Sequence, residues 1–96
     1  MKMYIKTEEL KENIVETIRV HKTLLRENIS ENDTDWIEVY ISSLKKLQLE
    51  LYKIEDLEYL YNYYESVNDF NMLEVIAKEI VKNKIRIMNK YVLYSK

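Results

Sequence analysis

Ninety-six residues suffice for one domain with a single core and are too few for a core plus an elaborate catalytic site. The chain has no Gly, Pro or Cys, is 47% hydrophobic and 33% charged, and carries a net charge of −2. Missing Gly and Pro exclude the tight hairpins and bulges of an all-β or doubly wound fold, and missing Cys excludes a disulfide frame, a thiol nucleophile and cysteine-built zinc sites, so a single all-α domain over 1–96 is expected.

The first helix signal is Thr7 as N-cap, followed by Glu8 and Glu9 where the positive end of a helix favours acids. Leu10, Ile14, Ile18, His21, Leu25 and Asn28 or Ile29 then recur at spacings of three and four, which predicts a helix over 8–29. Ser30 to Asp35, SENDTD, is the most turn-like stretch, and Asp35 with Glu38 fits a capping box opening a second helix over 35–65.

That second helix changes its apolar side. With successive side chains about 100° apart, Ile37, Tyr40, Leu44, Leu47 and Leu51 form one stripe in its first half. In its second half Glu55, Glu58, Asn62 and Glu65 occupy that side, while Leu57, Leu60, Tyr61, Tyr64 and Val67 lie roughly opposite. Either the helix is continuous and packs first on one neighbour and then on another, or it breaks near Asp56 and the bundle has four helices. No helix breaker stands between Lys53 and Glu58, which favours continuity.

The tyrosine-rich stretch EYLYNYYE, 58–65, alternates like a strand at Tyr59, Tyr61 and Tyr63. A lone strand between long helices has nothing to pair with, so it reads as helix. Tyr61 and Tyr64 then join Leu57 and Leu60 as core, and Tyr59 and Tyr63 join Tyr52 and Leu49 on a separate face.

A boundary at SVND, 66–69, with Ser66, Asn68 or Asp69 as cap, precedes a third helix over 69–93. Its stripe of Leu73, Ile76, Ala77, Ile80, Ile87, Tyr91 and Tyr94 is widened by Val81, Ile85, Met88 and Val92, with Lys84 inside it reaching for the edge. A face that wide should contact two helices or be covered in part by a partner. The whole is an antiparallel three-helix bundle.

Little here points to chemistry. The serines (Ser30, Ser42, Ser43, Ser66 and Ser95) lack a glycine-built oxyanion loop, and His21, the one histidine, falls at the edge of the first apolar stripe as a structural residue would. Asn32, Asp33 and Asp35 resemble the start of a calcium loop but lack its glycine and distal glutamate, and read as caps. The acids match caps and solvent-facing positions, so no reactive carboxylate pair stands out. No enzyme activity, metal or cofactor is expected. There is no apolar run of bilayer length, and MKMYIKTEEL has charges where a signal peptide has its apolar core, so the expectation is a cytoplasmic protein.

Charge is uneven along the chain: six basic and five acidic residues over 1–29, three and nine over 30–68, six and three over 69–96, or +1, −6 and +3. The acidic middle and basic tail would attract each other within the fold or between two copies. Lys78, Lys82, Lys84, Arg86, Lys90 and Lys96 give the third helix a basic character that a nucleic-acid-associated regulator would use, although the acidic middle opposes it.

About a hundred residues, an amphipathic first helix and Trp36 near the turn also resemble the helical-hairpin WXG100 proteins of type VII secretion. Tyr52 with Asp56 and Tyr61 with Glu65 match the Y-x-x-x-[DE] pattern of that export route. The chain departs from the family in having Ile37 and Glu38 after Trp36 and no motif glycine, and its tyrosine patterns lie mid-chain. The resemblance implies a secreted or chaperone-like component with a helical partner.

Exposed aromatic and aliphatic faces favour a non-catalytic protein-interaction module: a small inhibitor, adaptor or regulatory subunit, self-association included, acting by occlusion or bridging. Its contact residues would be Leu49, Tyr52, Tyr59, Tyr63, Ile85 and Met88, because tyrosine offers a large rigid surface with a polar tip. The Lys-, Asn-, Ile- and Tyr-rich composition fits an AT-rich genome, bacterial or from a mobile element.

Overall fold

The computed structural model describes residues 7–95. Residues 1–6, which hold most of the amino-terminal stretch read above for an export signal, and Lys96 of the basic series lie outside the described residues. Three helices follow one another, α1 (Glu8–Ser30), α2 (Thr34–Ser66) and α3 (Phe70–Lys90), with no strand among the described residues.

Both turns solve the absence of glycine in the same way. Asn32 (φ 60) and Asn68 (φ 57) take the left-handed conformation that glycine usually supplies. The amide of Asn32 donates to the Ile29 carbonyl at 3.2 Å and that of Asp33 to the Asn28 carbonyl at 3.0 Å. Asn68 and Asp69 repeat the pattern on Glu65 and Tyr64. Each is a Schellman closure, with an Asp next in line to precede the following helix. At the second turn the Asp69 carboxylate accepts from the Met72 amide at 3.1 Å. At the first, α2 begins at Thr34 and Asp33 makes no side-chain cap bond, so the capping box expected at Asp35 and Glu38 is replaced by Asp35 in the first turn. Thr7 does sit at the N-cap of α1, but its hydroxyl donates to the Glu58 carboxylate of α2.

The second helix is continuous through 51–56, and no break occurs at Asp56. Its 33 residues span about 50 Å at 1.5 Å each, nearly the full 55 Å length of the molecule. The flipped stripe follows from how its neighbours are staggered. Antiparallel α1 begins level with Glu58, where Thr7 and Lys11 bond that carboxylate, and so leaves the last two turns of α2 unflanked. Antiparallel α3 begins beside those turns and reaches Glu50 with Arg86. One side of α2 is therefore covered early by α1 and an adjacent side late by α3, and three helices coincide only in the middle. The type VII resemblance implies a two-helix hairpin, whereas here a third helix packs on the second.

That middle holds the core: Leu10, Ile14 and Ile18 of α1, Leu47 and Ile54 of α2, and Ile87 of α3. Leu73, Ile76, Ala77 and Ile80 are also buried on α3, and Tyr61 and Tyr64 are half-buried. Leu60 and Val67, expected beside them, are exposed.

The third helix ends at Lys90, not at 93. Tyr91 is extended (φ −118, ψ 145), and the chain turns back toward α1. Tyr91 and Leu93 pack on the core while Val92 and Tyr94 face outward, the alternation of an extended segment. The Tyr94 amide donates to Thr17 Oγ1 at 2.8 Å, which fastens the segment to α1. Tyr94 therefore does not belong to a helical stripe.

Candidate functional site

The side of α2 turned away from both neighbours carries an apolar row. Ser43, Leu47 and Glu58 mark the side of α2 facing α1, and Glu50 marks the side facing α3. Leu49, Tyr52, Tyr59 and Tyr63 project from the opposite side at spacings of three, seven and four, and are 58%, 53%, 72% and 52% exposed. Tyr63 meets the half-buried Tyr64 edge-on, ring centres 5.2 Å apart, which ties this row to the arm formed by the end of α2 and the start of α3.

Ile85 and Met88 are exposed as well, with Val81 one turn before them on α3. They form a different surface. Met88 and Lys84 line a cleft with Glu9, Leu10 and Asn13, so this flank of α3 turns toward the start of α1. Ala77, Lys78, Val81, Lys82 and Ile85 continue it as a shallow apolar groove past the point where α1 begins. The six residues expected to contact a partner thus lie on two surfaces, four on the outer side of α2 and two on the flank of α3.

Polar chemistry is concentrated at the helix junctions. His21 Nδ1 lies 2.7 Å from Ser43 Oγ, and Tyr40 and Tyr94 meet the imidazole edge-on. Burial pushes the His21 pKa down and favours the neutral ring, and the hydrogen bond it shares with the Ser43 hydroxyl ties α1 to α2. The ring thus meets a serine and a tyrosine of α2 and a tyrosine of the carboxy-terminal segment, contacts that join these elements. The Glu50 carboxylate is buried, contrary to the expectation that all the acids sit at caps or in solvent. Arg86 grips both its oxygens, at 2.5 and 2.8 Å, with Lys53 at 3.6 Å. Arg86 holds the Glu50 pKa down against the opposing effect of burial.

No protein-family model, no curated protein and no solved structure matches the chain.

Among the described residues no group of three His, Asp or Glu is placed to hold a metal, and no helix is long and apolar enough to cross a membrane. Asn32, Asp33 and Asp35 serve the first turn and the start of α2. On the basic face of α3, Lys78 pairs with Glu74 at 3.1 Å and Arg86 with Glu50, which neutralises two of its cations.

Sequence reasoning passed over Glu50 and Thr17, and placed Arg86 only in the basic series of the third helix. Glu50 had a visible signal, since it stands three residues after Leu47 and four before Ile54, on the buried side of its helix. An acid there needs a cation from a neighbouring helix.

Proposed function

We propose that the protein is a non-catalytic interaction module, a small inhibitor, adaptor or regulatory subunit that works by occluding or bridging other proteins. The observation that carries this reading is the outer row of α2, where three tyrosines and a leucine stay exposed on a side that neither neighbouring helix covers. Such a row is costly to leave in water, and it presents the residue type most enriched where binding energy concentrates. The flank of α3 at Ile85 and Met88 supplies a second contact surface, and two surfaces on different sides of a rod suit bridging. Acidic residues on the second half of α2 and basic ones on α3 would steer approach.

Binding to nucleic acid is a weaker reading, because the Lys78 and Arg86 charges are already met within the fold. Affinity capture from a lysate of the source cells, repeated with Tyr59→Ser/Tyr63→Ser and with Ile85→Asp/Met88→Asp, tests the proposal. Loss of a captured protein in one or both folded variants supports it. An identical captured set from wild type and both variants overturns it.

A further inference from the structure

We propose that the outer row of α2 is a self-association surface, on which a second copy lies antiparallel with its two-fold axis beside Ile54. The proposal rests on the interaction-module reading and names the occupant of one of its two surfaces.

Charge is divided along the stretch of α2 that the row spans, 45–63. Lys45, Lys46 and Lys53 stand before Ile54, where the one acid, Glu50, is turned inward to Arg86, and Glu55, Asp56 and Glu58 follow. Parallel pairing in register would set Asp56 against Asp56 and Lys45 against Lys45. Antiparallel pairing about Ile54 instead opposes unlike groups at every step of the row. Leu49 meets Tyr59 of the second copy, apolar on aromatic. Tyr52 meets Asp56, so a phenol donates to a carboxylate. Lys45 meets Tyr63, placing an ammonium over a ring. Lys53, one residue off that register, is exposed and only 3.6 Å from Glu50 of its own helix, and its ammonium would turn outward to the same Asp56 carboxylate. The row runs at alternating steps of four and three (45, 49, 52, 56, 59, 63), the seam that keeps two helices in contact over several turns.

Among the described residues the outer side is free over this whole length, because α1 and α3 occupy the other sides of α2. Neither helix has to move. The seam is about 27 Å long at 1.5 Å per residue and engages mainly one helix from each copy, which places it below the ~800 Å² per partner of a strong complex. The association expected is therefore micromolar and reversible. It leaves the α3 flank of each copy facing outward, so that the dimer presents two equivalent surfaces to other proteins.

Sedimentation equilibrium of the full chain across roughly micromolar to millimolar concentrations, the range a seam of this size calls for, tests the proposal. The wild type should pass from monomer to dimer and stop there. Asp56→Lys, at an exposed position, should weaken the dimer about tenfold or more, because both copies of the contact become repulsive. Lys53→Asp/Asp56→Lys exchanges the charges and should restore the dimer to within about threefold of wild type. Circular dichroism confirms that each variant is helical. A monomer at every concentration, or a dimer indifferent to Asp56→Lys, overturns the proposal. Should the dimer be missing while Tyr59→Ser/Tyr63→Ser still abolishes capture of another protein, self-association fails and the interaction-module reading stands. Should a dimer form with the predicted charge dependence while no variant alters capture, self-association stands and the wider reading fails.

Discussion

Asn32 and Asn68 do the work of glycine in a chain that has none, and the substitution has a measurable energetic signature. Alanine in a left-handed position costs about 1–2 kcal/mol, whereas glycine carries no such penalty. Asn68→Ala should therefore lower the stability read from urea unfolding by that amount, and Asn68→Gly should leave it within about 0.5 kcal/mol. Equal midpoints for the Ala and Gly variants would show that the turn does not depend on this conformation. The Glu50–Arg86 pair makes a second test. Removing Arg86 strands a buried carboxylate, which typically costs 3–5 kcal/mol; because Arg86 is partly exposed and Lys53 lies near, Arg86→Ala should cost about 3 kcal/mol, at the lower end. Glu50→Leu/Arg86→Leu should recover most of that loss, since an apolar pair needs no charge compensation.

His21 and Glu50 also set how the fold responds to acid. The folded pKa of His21 lies below its ordinary 6.5, so below that pH the unfolded chain binds the extra proton more readily and stability falls. The folded pKa of Glu50 lies below its ordinary 4.5, so its contribution is complete above that value and disappears as pH falls further. Unfolding measured across pH should show a first decline beginning near 6.5 and a second beginning near 4.5. His21→Gln should remove the first and leave the second. A first decline that persists in this variant would mean that another group is responsible.

Among the elements, α2 decides the architecture, because one uninterrupted helix meets two neighbours on adjacent sides. Ile54 sits where all three helices coincide and is fully buried, whereas Leu60, less than two turns later, lies beyond the start of α1. Ile54→Ala should cost about 3–4 kcal/mol, and Leu60→Ala less than about 1 kcal/mol. For a domain whose total stability is about 5–14 kcal/mol, the first variant approaches the unfolding threshold and the second does not. Comparable losses would contradict the stagger. This element was largely readable in advance. The stripe that jumps sides after Leu51 has a simple physical origin, a change of neighbour, and helical periodicity reports it directly. Periodicity was ambiguous at the end of α3, where Tyr91 and Tyr94 fit a helix and Tyr91 and Leu93 fit an extended chain equally well. The bond from the Tyr94 amide to Thr17 decides between them, and it joins residues 77 apart in sequence. The Glu50–Arg86 pair escaped for a related reason, because helical periodicity places Glu50 on the buried side of α2 but cannot show which residue of another helix meets it.

The whole molecule is a rod, 55 Å long and 20 Å across, with three-helix packing in the middle and two-helix packing at each end. A rod of this shape has much surface for its volume, which is why Tyr52, Tyr59, Tyr63, Ile85 and Met88 remain exposed although the core is filled. The six residues proposed for partner contact were readable as exposed apolar positions. Their division between two surfaces was not, because it depends on how α2 and α3 are rotated about each other. Hydroxyl-radical footprinting of the native chain at low and high protein concentration tests the central claim, that the outer side of α2 is a contact surface, most directly. Leu49, Tyr52, Tyr59 and Tyr63 should react freely in dilute solution and become protected together as concentration rises, while Met88 stays reactive. Unchanged labelling of the three tyrosines at every concentration, or protection at Met88 in their place, would contradict it.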